Sequence, residues 1–151
     1  SLNTEMIKIF GDWYDLDYAI CYFYNVYGPG EKRTGEYATL IGLCEQHYLD
    51  KTTLTLTPPG SQERNFTHII DIVNGLILVG KYGSGDNYGI GHPDSYSVLQ
   101  VSKLFGLTTS LGPEKRGNRL AADVITGKTK ELGWAPQYSL PEYISEFISK
   151  N

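Results

Sequence analysis

Hydrophobic and polar positions divide the chain into short alternating elements. From Asn3 to Leu16, Met6, Ile9, Phe10 and Trp13 recur at helical spacing, with Asn3 or Thr4 placed to cap the first turn. Asp15-Leu16-Asp17 is a turn, and Tyr18 to Tyr24 is an almost unbroken apolar and aromatic run, the pattern of a strand covered on both faces. Gly28-Pro29-Gly30 stops it and opens a charged, glycine-rich loop to Gly35. Glu36 to Tyr48 is predicted as a helix with Ala38, Ile41 and Cys44 on successive turns. Thr53 to Thr57 alternates leucine with threonine as a half-buried strand does, and Pro58-Pro59-Gly60 ends it. Ile69 to Val79 is an apolar helix, with Asp71 as the alternative start, and Tyr82 to Asn87 reads as a glycine-rich loop before a short strand at Tyr88 to Ile90.

The last third follows the same rhythm. Ser97 opens a helix through a capping box with Gln100, and Val98, Val101, Leu104 and Phe105 form its apolar face. Leu107 to Leu111 is a candidate strand, Lys115 to Arg119 a basic loop, and Thr126 to Leu132 a short helix closed by Gly133. Ser139 caps the final helix with Glu142 as its partner, and Ile144, Phe147 and Ile148 face inward. A helix that feeds directly into a strand buried on both sides is half of an α/β crossover, so the fold class is α/β, mainly helices with a few short strands.

Composition narrows the picture modestly. The 151 residues are 40% apolar and 20% charged with a net charge of -4, enough for one globular unit with a core. No apolar run approaches membrane-spanning length, and mild acidity without a basic patch argues against a nucleic-acid partner. Cys21 and Cys44 both lie in apolar segments and read as buried thiols of a reducing, cytoplasmic compartment. His68 and His92 have no second ligand at metal spacing, so no metal site is expected. The glycines at 80, 83, 85 and 89 do not have the spacing of a dinucleotide-binding turn.

Candidate chemistry begins where the first strand ends. Asn25 falls just outside its carboxyl end, the edge at which open α/β sheets bind ligands. Tyr22 to Pro29 resembles the Arg-Tyr-Phe-Asn-Val-Tyr-Gly-Pro segment of nucleotide-sugar epimerases and dehydratases, the extended short-chain dehydrogenase/reductase family, with Tyr22 in place of its Arg and Tyr24 in place of its Phe. Gly60 to Asp71 resembles the family's Gly-x-x-x-Arg-Asp-Phe-x-x-Val-Asp-Asp segment, with Arg64 at its Arg and Asp71 at its second Asp. Arg116-Gly117-Asn118 resembles Arg-Pro-Gly-Asp with the Pro missing, and Arg119 competes for the same role. Asp123 and Leu132-Gly133-Trp134-Ala135-Pro136 are similar to the family's closing segment.

The resemblance covers nearly the whole chain but only the carboxyl-terminal portion of the family, and it carries roles with it. It implies that Asn25, Arg64 and Arg116 hold the diphosphate of a nucleotide sugar, for which a guanidinium fork is well shaped. It puts Leu56 and Thr57 beside the base and ribose, and Tyr24 and Tyr27 beside the nicotinamide of NAD. No Tyr-x-x-x-Lys and no glycine-rich cofactor loop occur in the sequence, so no catalytic residue is expected in this chain. By the same resemblance, residues 1–30 belong to the cofactor-domain sheet and residues 31–151 form the nucleotide-sugar domain. NAD and a UDP-sugar, and a homodimer, are expected of the intact protein. A 4-epimerase of UDP-glucose or UDP-N-acetylglucosamine, a 4,6-dehydratase and a stand-alone binding module all stay open.

Overall fold

The structure, a computed structural model, describes residues 2–113 and 124–151. In chain order the elements are α1 (Leu2–Tyr14), β1 (Ala19–Phe23), β2 (Val26–Tyr27), α2 (Leu40–Asp50), β3 (Leu54–Leu56), β4 (Glu63–Asn65) and β5 (Thr67–His68). There follow α3 (Ile69–Tyr82), β6 (Gly85–Ile90), β7 (Ser95–Ser97), α4 (Val98–Leu104), β8 (Thr109–Leu111), α5 (Gly127–Glu131) and α6 (Leu140–Lys150). The strands pair in twos: β1 with β6, β2 with β5 and β3 with β8 in parallel, and β4 with β7 antiparallel.

Local chemistry explains the starts of four of the six described helices. Thr39 caps α2 by accepting from the Gly42 amide, and Ser97 and Gln100 form the reciprocal box at α4. Ser139 accepts from the Glu142 amide at the start of α6. α3 begins at Ile69, with His68 as its cap: the ring Nδ1 accepts from the Ile70 amide at 3.3 Å.

Two cores result. The larger one gathers Tyr27, Ile41, Cys44, Leu54, Leu56, Phe66, Val98, Val101, Phe105, Leu140 and Ile144 between α2, α4 and α6. The smaller joins Ile72, Ile90 and Trp134 against the β1–β6 pair. Asp71 ties the two: its carboxylate accepts from the amides of Gln137 at 2.9 Å and Tyr138 at 3.1 Å, and its carbonyl accepts from the Trp134 indole at 2.9 Å.

Several expectations change. The first strand is not covered on both faces: Cys21 packs on the smaller core beneath α3, while Tyr22 and Phe23 are exposed. The apolar stripe of α1 faces outward as well, with Met6, Ile9 and Phe10 exposed and Trp13 72% exposed. Helix α2 starts at Leu40, not Glu36, since the Thr39 cap sets the first turn. The stretch from Glu63 to His68 is two strands, and the end of the glycine-rich segment, from Gly85, becomes the first half of β6. Gly89 is needed there: a Cβ would lie 1.8 Å from the Ile125 carbonyl oxygen, where the chain crosses the strand. Both cysteines are free, and burial pushes the thiols up, that of Cys44 to about 12.

Candidate functional site

Asn25 takes the left-handed conformation, φ 30°, and so breaks the chain between β1 and β2. Its carbonyl accepts from the Thr67 amide at 3.1 Å, and its side-chain amide donates to the Asn65 carbonyl at 3.0 Å. Asn65 in turn donates to the carbonyls of His92 and Pro93 at 3.0 and 3.1 Å. The end of β1, strand β4 and the turn before β7 are therefore held in one fixed frame. Gly28 completes it: at φ 147° a Cβ would sit 2.6 Å from Ile69 Cγ2.

This frame borders a cavity of about 540 Å³ whose wall includes Asn25, Leu56, Thr57 and Arg64. Four residues singled out in the sequence thus meet in one place, from the break after β1, the end of β3 and β4. Sequence reasoning missed Glu31, Thr39, Leu40 and Gln62, which share the wall. The signals for them were slight: Gln62 lies within the Arg64 motif, Glu31 in the loop after Gly28-Pro29-Gly30, and Thr39 and Leu40 in the predicted helix. Glu31 accepts from the Thr39 hydroxyl at 2.6 Å, and burial raises its carboxyl to about 7. Behind it, Glu45 is fully buried, held by Arg33 Nε at 2.7 Å and the Tyr143 hydroxyl at 2.6 Å.

The tyrosines lie elsewhere. Tyr24 accepts from the Ile125 amide at 3.1 Å and borders a hollow of about 130 Å³ with Tyr22, Asn87, Gly89 and Ile125. Tyr27 is buried in the larger core, its ring edge-on to His68 and Tyr143. Burial raises its hydroxyl well above the usual tyrosine range. His68 stacks on Tyr138 at 4.4 Å, and burial lowers its pKa. A second cavity of about 410 Å³, lined by Arg33, His68, Tyr138, Glu142 and Phe147 among others, lies against α6. Arg116, Asn118, Arg119 and Asp123 lie outside the described residues. Among the described residues no group of His, Cys, Asp or Glu is arranged to hold a metal, and no helix is long and apolar enough to cross a membrane.

Residues 2–91 match the NAD dependent epimerase/dehydratase family. The chain belongs to that family. Among its relatives in the family, a dTDP-L-rhamnose 4-epimerase of Burkholderia thailandensis is 27% identical over 132 residues, 81% of this chain and 36% of that protein. The UDP-glucose 4-epimerase of Thermotoga maritima, solved with UDP-glucose, superposes with a TM-score of 0.89 at 25% identity, over 97% of this chain and 50% of that one. The dTDP-glucose 4,6-dehydratase DesIV of Streptomyces venezuelae, solved with NAD and TYD, gives 0.82 at 25% identity over 98% and 48%. The chain therefore spans about half the length of these structures and about a third of the Burkholderia relative.

The family is NAD-dependent. The hollow at Tyr24 is far below the several hundred Å³ that cofactor pockets occupy, and the glycine-rich turn that cradles a pyrophosphate is not in the sequence.

Proposed function

We propose that this chain is the nucleotide-sugar-binding portion of an NAD-dependent 4-epimerase acting on a UDP-sugar. One observation carries the reading. Asn25, Arg64, Leu56 and Thr57, drawn from separate motifs, line one cavity at the carboxyl end of β1. Asn25 and Arg64 offer an amide and a guanidinium for a diphosphate, with Arg116 as a further cation, and Leu56 and Thr57 lie where a base and ribose would rest. Of the two tyrosines the resemblance puts beside the nicotinamide, Tyr24 keeps that place in this reading, while Tyr27 is buried in the core and supports the turn from within. Residues 1–30 go with the cofactor sheet, and residues 31–151 hold the nucleotide sugar. β6 crosses back to pair with β1.

Catalysis is assigned outside this chain. Hydride transfer needs NAD held against the sugar, and oxidation needs a general base; the Tyr-x-x-x-Lys that would serve is not in the sequence. The chain alone is accordingly inactive, and the intact protein is a cytoplasmic homodimer. The test incubates the complete gene product with NAD and UDP-glucose, UDP-N-acetylglucosamine or UDP-glucuronate. A 4-epimer formed without loss of water supports the reading. A 4-keto-6-deoxy product from a dTDP- or GDP-sugar supports the 4,6-dehydratase instead, as the likeness to DesIV would allow. Turnover by the 151-residue chain with added NAD would overturn the assignment of catalysis elsewhere.

A further inference from the structure

Gln62 stands two residues before Arg64, so at strand spacing the two side chains project to the same side about 7 Å apart. Both line the cavity. Gln62 is 5% exposed, and its amide has one settled end: Nε2 donates to the Thr57 carbonyl at 3.2 Å. A carbonyl can only accept, so the amide cannot be turned over, and Oε1 is the atom left to offer. It has no hydrogen-bond partner among the described residues. Buried acceptors are ordinarily satisfied, and one in the wall of a cavity asks for a donor from what the cavity binds.

The strand also fixes which part of the ligand reaches it. The Asn65 end of β4 is bonded to Asn25, at the carboxyl end of β1. The Gln62 end is bonded to Thr57, after β3, and its carbonyl accepts from the Val98 amide at 3.3 Å. A sugar awaiting oxidation must lie toward the sheet, where cofactors sit in such folds. With the diphosphate at Arg64, the nucleoside half then lies toward Gln62.

We propose that Gln62 is a specificity-determining residue whose Oε1 accepts a hydrogen bond from the nucleoside half of the ligand. The inference rests on the nucleotide-sugar reading of the cavity. Two donors share the required chemistry, the imide N–H of a uracil-type base and a ribose hydroxyl.

UDP, N3-methyl-UDP, 2′-deoxy-UDP and 3′-deoxy-UDP are titrated by NMR into the 151-residue chain and into Gln62→Met. One analogue should bind the unsubstituted chain about tenfold more weakly than UDP, the usual loss for one hydrogen bond to a buried acceptor. The same analogue should lose little or nothing more on Gln62→Met. N3-methyl-UDP as the weak binder identifies the base, and a deoxy analogue identifies the ribose. Analogues that all match UDP, or a loss that persists undiminished in Gln62→Met, overturn the proposal. If circular dichroism shows Gln62→Met unfolded, Gln62→Asn, which withdraws the acceptor by one methylene, takes its place. Arg64→Ala separates the two levels. UDP that perturbs no cavity resonance in the unsubstituted chain removes both the reading and the inference. UDP whose binding needs Arg64 but ignores Gln62 removes the inference alone.

Discussion

Glu31 shows how a single side chain sets a measurable pH dependence. Burial lifts its carboxyl from the ordinary 4.5 to about 7, so the folded chain holds that proton more tightly than the unfolded one. The sign follows: stability is greatest below about 4.5 and declines as pH rises through 7, when the folded state must bury a charge. Glu31→Gln should flatten that limb, with a difference of roughly 2 kcal/mol between pH 5 and pH 8 read from urea unfolding. Parallel pH profiles for the two chains would contradict the assignment. Asp71 is a different case. It matches a motif Asp, yet in the fold it is fully buried and anchors the Gln137 and Tyr138 amides. Asp71→Ala strands both donors and should cost about 3 kcal/mol of unfolding free energy. A loss below 1 kcal/mol would show that water replaces the carboxylate freely.

At the scale of elements, α1 leaves most of its apolar side chains exposed, and Lys8 helps hold it to the β1–β6 pair. Its ammonium meets Asp86 at 2.8 Å, and Asp86 also accepts from the Tyr22 hydroxyl at 2.8 Å. The Lys8 hydrogen bond is the chief cause that lowers Asp86 to about 2. That contribution is fully present above the unfolded value of 3.8 and is lost as pH falls through about 2. Asp86→Asn should speed amide hydrogen exchange in α1 and leave α6 unchanged; equal exchange in both chains would show that the pair does not pin the helix. The exposed stripe of Met6, Ile9, Phe10 and Trp13, beside a strand with one partner, should drive self-association. Sedimentation should show species larger than a monomer, reduced in Phe10→Asp/Trp13→Asp. A clean monomer at both low and high concentration would contradict this.

These elements also show what the sequence made legible. Helical spacing located α1, α3, α4 and α6 because each repeats apolar residues on one face, and caps at Ser97 and Ser139 marked their starts. Strands of two or three residues, such as β4 and β5, are too short for alternation to show, and their pairing is set by distant partners. The outward face of α1 was not legible either. A 3.6-residue period says that a stripe exists, not what covers it.

Across the whole molecule, the fold places residues from separate motifs around one cavity. Asn25 and Arg64 were legible because each sits in a recognisable motif. Gln62 shares the Arg64 motif, but its role and that of Glu31 come from burial and from the Thr57 and Thr39 contacts, which no local pattern encodes. The second cavity, beside His68, Tyr138 and Phe147, is the natural competitor. Titration of UDP-glucose into the 151-residue chain, followed by NMR, decides between them. Shifts should concentrate at the Asn25 side-chain amide, Leu56, Thr57 and Arg64, with affinity at least tenfold weaker in Arg64→Ala. Shifts centred on His68, Tyr138 and Phe147, with Arg64→Ala binding unchanged, would contradict it.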